Sequence, residues 1–209
     1  MIQRAKAIAW RIAAHIPFLR PVAETRRSQT PIALSNWIKY RFSRHRLPYW
    51  PLHPASVAVD THKVHIGIET SPGLMPGCYI QGSNGIEIGD YTQIAAGVKI
   101  ISANHLLTDI RAHLKTRPIR IGKYCWLGAN SVILPGVELG TYTIVGAGAI
   151  VTKSFPEGYC VIAGNPARII KDLNPAECIF HESDYKYNGF IRSDRFEEFR
   201  TKFLTPLEA

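Results

Sequence analysis

Five polar or titratable side chains crowd one short stretch of this 209-residue chain: Asn104, His105, Asp109, His113 and Arg117. Their types suit proton transfer. A neutral imidazole near its ordinary pKa of about 6.5 can take the proton from a hydroxyl as that oxygen attacks an electrophilic carbon. Asp109, four residues on, is a candidate to orient such a ring, with a backbone carbonyl as the alternative. His113, eight residues on, either lies on loop surface or touches an acceptor. A lone histidine is more often structural than catalytic, so residue type alone assigns no role. Metal chemistry is less well served. A zinc hydrolase needs three converging ligands, and the close pair His62 and His65 stands far upstream of His105. The four cysteines (Cys78, Cys125, Cys160, Cys178) show neither metal-ligand spacing nor a disulfide framework.

The elements that must position this cluster follow an unusual period. Ile121, Leu127, Ile133, Leu139, Val145 and Val151 recur at every sixth position. Gly122, Gly128, Gly140 and Gly146 each follow one of them. Cys125, Ser131, Val137, Thr143 and Ala149 stand four residues after an apolar one. A period of six is neither helical, at about 3.6, nor a simple alternating strand, at about 2. It predicts a solenoid whose short flat strands turn a corner every six residues. Glycine is expected to relieve crowding and to permit unusual backbone angles near the corners. The step recurs upstream as Ile88, Ile94, Ile100 and as Ile68, Leu74, Ile80. A phase slip over residues 81–85 predicts a bulge or outward turn. The 21 residues from Ile100 to Ile121 break the step again, and they contain the polar cluster. Insertions usually leave a repeat array on its functional face.

The chain divides into a basic N-terminal helical extension (1–54), the solenoid (55–170) and a C-terminal cap (171–209), in which residues 194–204 predict a short helix. Hydrophobic content of 46% is ample for a packed interior. A net charge of +9, with a pI of about 9.5, points to anionic partners. The excess concentrates in residues 1–46, where Glu24 is the one acid. Such a basic first quarter fits a surface or membrane contact better than a nucleic-acid groove.

Residues 1–19 predict an amphipathic helix ending at Pro17 and Pro21, with Ile2, Ala5, Ile8, Ala9, Ile12 and Ile16 on one stripe. It packs on the protein, or lies on an anionic membrane through residues 1–20. Residues 22–34 read as a linker and 34–46 as a second short basic helix. In that second helix Trp37, Tyr40 and Phe42 pack, stack on a nucleic acid or sit at a headgroup layer. Arg4, Lys6, Arg11 and His15 interrupt any signal-peptide core. No apolar run nears the roughly 20 residues needed to span a bilayer, so the expected location is cytoplasmic.

Taken in order, several motifs resemble the hexapeptide-repeat acyltransferases. They are Ser102-Ala103-Asn104-His105, Cys125-Trp126-Leu127-Gly128-Ala129, Gly146-Ala147-Gly148, Val151-Thr152-Lys153 and Ala163-Gly164-Asn165-Pro166-Ala167-Arg168. The nearest branch is the sugar O-acetyltransferases of the galactoside, maltose and nodulation-factor type, and the resemblance covers residues 57–172. It implies an all-β solenoid wound as a left-handed parallel β-helix. It also implies a homotrimer with acetyl-CoA in the groove between neighbouring prisms, and no metal.

On this resemblance His105 is the general base, and Asn104 lies with it at the acceptor. Trp126 lies beside the thioester. Gly128, Ala129 and Ala147 follow the pantetheine arm. Thr152 and Lys153 meet the adenosine-phosphate end, where Arg168 and Lys171 add positive charge for the phosphates. One departure concerns the acceptor. Galactoside-type enzymes carry an asparagine one coil before the histidine, where this chain has Met75 or Gly77. Gln81 and Asn84, in the phase slip, are the available substitutes. The family's acidic acceptor-binding residue in its N-terminal segment has no match.

The expected activity is therefore acetyl transfer from acetyl-CoA to a sugar hydroxyl, in surface polysaccharide biosynthesis, with a lipid-linked acceptor as one form. Rival readings are an N-acyltransferase on an amino-sugar, a serine-type O-acetyltransferase, a metal hydrolase on the same solenoid, and a non-catalytic scaffold.

Overall fold

A computed structural model of the chain describes residues 10, 12–43 and 48–208. Most of the expected helix over 1–19 lies outside these residues.

Three parallel sheets form the three faces of a prism. The first face stacks β1 (Val57–Val59), β3 (Tyr79–Gln81), β6 (Lys99–Ile101), β9 (Val132–Ile133) and β12 (Ile150–Val151). The second stacks β2 (Val64–Ile66), β4 (Ile86–Ile88), β7 (Ile119–Ile121) and β10 (Glu138–Leu139). The third stacks β5 (Gln93–Ile94), β8 (Trp126–Leu127), β11 (Thr143–Val145) and β13 (Cys160–Gly164). There β14 (Ala167–Asp172) adds itself antiparallel to β13 and ends the parallel array.

The six-residue period explains the stacking. On the second face Ile88 pairs with Ile121, and Ile121 with Leu139. On the third, Ile94, Leu127, Val145 and Ile162 pair in turn. On the first, Ile100 pairs with Ile133, and Ile133 with Val151. Each of these residues is at most 8% exposed, so every coil adds one apolar layer. Fully burying such a side chain is worth about 1.5–3 kcal/mol. The small residues Cys125, Ser131, Val137, Thr143 and Ala149 are buried as well. They fill the interior at the corners, where a larger side chain has no room.

The early repeat differs from the expected one. Ile68 and Leu74 lie outside the strands and are only partly buried; Ile80 is buried as expected, while Val64 and Ile66 fill the first coils in place of the other two. Of the two roles expected of the repeat glycines, relief of crowding holds and an unusual backbone angle does not. Gly122, Gly128, Gly140 and Gly146 need no left-handed backbone; at three of them the next coil passes too close for a Cβ. One on Gly140 would sit 2.2 Å from the Pro156 carbonyl oxygen, and one on Gly122 would sit 2.6 Å from the Gly140 carbonyl carbon. Left-handed corners fall elsewhere, on tyrosines among other residues. Tyr91, Tyr124 and Tyr142 have φ of 57°, 54° and 57°. Such a conformation costs roughly 1–2 kcal/mol for a non-glycine residue. Ring stacking along the corner, with centroids 5.2 and 5.4 Å apart, offsets part of that cost.

Segments described on either side of the solenoid converge on the first coil. Tyr49 and Trp50 plug its open end. The Tyr49 hydroxyl donates to the Val64 carbonyl and accepts from the Ile66 amide, and the Trp50 indole donates to the Pro72 carbonyl at 2.8 Å. Downstream of β14 the chain runs back along the tyrosine corner. Tyr142 donates to the Ile179 carbonyl, Tyr124 to the His181 carbonyl at 2.8 Å, and the Ser183 amide to the Tyr91 hydroxyl at 3.2 Å. The helix Phe196–Phe203 then packs Phe196 and Phe199 against Tyr49. This short helix thus covers the coil farthest from it in solenoid order.

The segment read as a linker is partly ordered. Pro21 sits in the first turn of a helix, Arg20–Thr25, rather than ending one, because a first-turn proline needs no amide donor. The second basic helix forms over Leu34–Phe42 and buries Trp37 and Tyr40. Among the described residues no helix is long and apolar enough to cross a membrane.

Candidate active site

The 33-residue step from Ile88 to Ile121, against 18 from Ile121 to Leu139, places an excursion between β6 and β7. Its root is fixed by side chains, since the backbone there has left the ladder. Ser102 is fully buried. Its amide and its hydroxyl both donate to the Gln81 carbonyl, at 3.1 and 2.7 Å. The Gln81 side-chain oxygen accepts from the Ala103 amide at 3.0 Å. From the neighbouring turn, the Asn84 amide nitrogen Nδ2 reaches the carbonyls of Ser102 (3.0 Å) and Leu114 (2.8 Å) and the Thr116 hydroxyl (3.0 Å). The phase slip at residues 81–85 therefore carries the brace for the excursion on the coil above it.

Outward from this root the two arms pair antiparallel. The Leu114 amide donates to the Asn104 carbonyl, and the Leu106 amide to the Ala112 carbonyl. His105 and His113 face each other across this bridge, their rings 4.6 Å apart and 33° from coplanar. Asn104, His105 and His113 are all exposed. The tip carries Leu107, fully exposed, and Ile110 at 75%.

The expected orienting carboxylate is engaged elsewhere. Asp109 accepts from the Arg111 backbone amide at 3.1 Å, from Nε at 2.9 Å and from Nη2 at 3.1 Å. These bonds to Arg111 hold the Asp109 carboxyl below the usual carboxylate range. Among the described residues Asp109 makes no hydrogen bond to His105. The side chain set beside His105 is the second imidazole, that of His113.

The residues expected along the donor lie apart from this corner. Trp126 stands out from the third face, 53% exposed, between Gln93 and Ile144. Gly128, Ala129 and Ala147 share the corner between the third and first faces. A Cβ on Gly128 would sit 2.7 Å from the Ala147 amide, and the Gly148 amide donates to the Ala129 carbonyl at 2.8 Å. Thr152 and Lys153 follow β12, both exposed, with the Lys153 ammonium 5.5 Å from the centre of the Phe155 ring. Arg168 and Lys171 are exposed on β14, paired with Ala163 and Val161. One chain thus brings together His105, Asn104, His113, Gln81 and Asn84 on one corner, and sets Trp126, Gly128, Ala129 and Ala147 around another. Ser102 entered the sequence analysis only as part of a motif, and Thr116 and Arg111, which also position the loop, did not enter it. The signal for Ser102 and Thr116 was a short hydroxyl side chain on either side of the break in period.

Among the described residues no three His, Cys, Asp or Glu side chains are placed to hold a metal ion. Burial pushes the Cys125 thiol up to about 11 and leaves it a packing residue.

Residues 118–153 match the family model described as bacterial transferase hexapeptide (six repeats). Nodulation protein L of Rhizobium meliloti (strain 1021) is 42% identical over 63 residues, 29% of this chain and 34% of that protein. The chain thus spans about a third of the length of the curated relatives it matches. Among solved structures, a galactoside acetyltransferase in complex with coenzyme A superposes with a TM-score of 0.54 at 28% identity. That match covers 67% of this chain and 70% of that one. A maltose O-acetyltransferase from Clostridium difficile 630 superposes at 0.52 and 28%, covering 59% and 66%.

Proposed function

We propose that the protein is an acetyl-CoA-dependent O-acetyltransferase acting on a sugar hydroxyl, with His105 as general base. The observation that carries this reading is the exposed imidazole of His105 on a root clamped by Gln81, Ser102 and Asn84. That root stands on a solenoid similar to a galactoside acetyltransferase and a maltose O-acetyltransferase.

The proposed step balances simply. The acceptor oxygen attacks the acetyl thioester carbon while His105 takes the hydroxyl proton. Collapse of the tetrahedral adduct breaks the carbon–sulfur bond, and the proton passes to the departing thiolate. The products are an acetyl ester and free CoA thiol, with no acyl-enzyme. A positioned base of this kind supplies about 10²–10⁴ in rate. Neighbouring His113 shapes the acceptor side of the ring, and Asn104 lines it.

Trp126 and the small residues Gly128, Ala129 and Ala147 suit the thioester and pantetheine. Thr152, Lys153, Arg168 and Lys171 suit the nucleotide phosphates. The histidine corner and the tryptophan face are different sides of the prism, so a complete site calls for a second copy. A left-handed helix assembled as a trimer, with the excursion tip Leu107 and Ile110 against its neighbour, meets that need. Surface polysaccharide is the acceptor class in view, and the cytoplasm the compartment.

The test is thiol release from acetyl-CoA with a panel of sugars, amino-sugars and serine. Sugar-dependent release with an acetyl ester as product is expected. His105→Ala should lower turnover about 10²–10⁴-fold while coenzyme A binding persists. Full turnover in that variant rejects the general-base role, and amide product in place of ester rejects O-transfer.

A further inference from the structure

The net positive charge of this chain is confined to one end. Ten of its 25 Lys and Arg and one of its 16 acids fall in residues 1–46, while residues 47–209 hold fifteen of each. The whole +9 excess therefore sits in the segment that carries the two N-terminal helices. That segment also exposes large apolar side chains. On the helix Leu34–Phe42 the inner side packs Trp37 and Tyr40, while Leu34 (44%), Ile38 (41%) and Phe42 (78%) remain exposed. Spaced i, i+4 and i+8, these three form one continuous stripe, flanked by Arg41 on one side and Lys39 on the other.

Next to the stripe lies a cavity of about 600 Å³. Its floor holds Trp37 and Phe190, with rings 6.1 Å apart, and its rim carries Arg20, Arg41, Arg192 and Arg195. Glu24, at 3.8 Å from both Arg20 and Arg192, and Asp194, at 3.2 Å from Arg192, partly offset two of them. Among the described residues Arg41 and Arg195 pair with no carboxylate.

We propose that this face docks on an anionic phospholipid bilayer. Leu34, Ile38 and Phe42 enter the boundary between headgroups and acyl chains, and the cavity arginines take headgroup phosphate. The charge selects the occupant. A second copy would bring the same positive face against itself, with repulsion opposing burial of the stripe. An anionic bilayer supplies apolar depth and opposite charge together. The surface consists of described residues and does not rest on residues 1–9. It is also independent of acyl-transfer chemistry, so either reading can fail alone.

Sedimentation of the full chain with vesicles tests it. Vesicles of phosphatidylcholine with about 30% phosphatidylglycerol should carry the protein down, and phosphatidylcholine alone should bind at least about tenfold less. Raising salt to about 0.5 M should release it. The L34S/I38S/F42S variant and, separately, K39E/R41E should each weaken partition at least about tenfold, with Tm and oligomeric state unchanged. Equal binding to both vesicle types overturns the proposal. So does wild-type affinity in both variants, which would place binding elsewhere in the chain. A change of oligomeric state in the stripe variant also overturns it, because a second copy would then be the occupant.

Discussion

Two neighbouring parts of this chain hold their backbone in opposite ways. Between Ile119 and Val151 each coil copies the one below it, and carbonyl–amide ladders plus one buried apolar side chain per face suffice. Between Ser102 and Pro118 the coil-to-coil ladder stops, and the two arms of the excursion pair with each other instead. There Ser102, Asn84, Gln81 and Thr116 fix the path by side-chain hydrogen bonds, and the apolar side chains Leu107 and Ile110 point outward. Repetition makes a rigid rod, and an exception to it makes a place where an imidazole can stand in solvent on a fixed base. Damage should separate along the same line. Injury to a coil unfolds the protein, whereas injury to the excursion reduces activity in a protein that stays folded.

Removing the imidazole of His105 is the extreme case for the excursion, with its expected loss of turnover and intact coenzyme A binding. The opposite extreme is Leu127→Ala. Leu127 is fully buried between Ile94 and Val145. Its truncation should cost about 2–5 kcal/mol, read as a lower denaturant midpoint at unchanged slope. If Leu127→Ala instead lowered turnover without loss of stability, the contrast between the two parts would be lost.

Asn84→Ala probes the boundary, because this side chain sits on a coil and braces the excursion. Losing its bonds to Ser102, Leu114 and Thr116 should cost about 1–3 kcal/mol locally. The expected signature is faster hydrogen exchange over residues 104–116 and reduced turnover, with Tm little changed. A global loss as large as that of Leu127→Ala would make the brace part of the coil.

The smallest effect concerns the returning C-terminal chain. His65 lies 2.9 Å from the Thr205 carbonyl, and burial lowers its pKa in the fold. The unfolded chain therefore binds the proton more readily. This group's contribution is complete above the unfolded value of about 6.5 and is lost as pH falls through it toward the lower folded value. Urea midpoints measured from pH 7.5 to 5 should fall, with a shallower slope in His65→Gln. Equal slopes in the two proteins would show that the C-terminal chain titrates through other groups.

Much of the rod was legible in the residues. Ile121, Leu127, Ile133, Leu139, Val145 and Val151 pair in the structure on the faces their spacing assigns, since a six-residue step admits one register. The first coils were less legible. Ile68 and Leu74 kept the step by coincidence, while Val64 and Ile66 filled the interior on a coil of different length. Within the excursion, residue types announced chemistry but not partners. Asp109 stood at a plausible spacing from His105, yet Arg111, two residues away, captured it in an exposed loop.

The order of residues alone determined the period, the interior set and the place where the period breaks, because those properties depend on near neighbours along the chain. Only the tertiary structure decided that His113 faces His105, that Asn84 reaches across to Leu114, and that the last helix closes the first coil onto Tyr49. The last two of those contacts join residues at least 30 positions apart in sequence. They depend on how many residues each coil spends before returning to its face, a quantity that only the stacked coils fix.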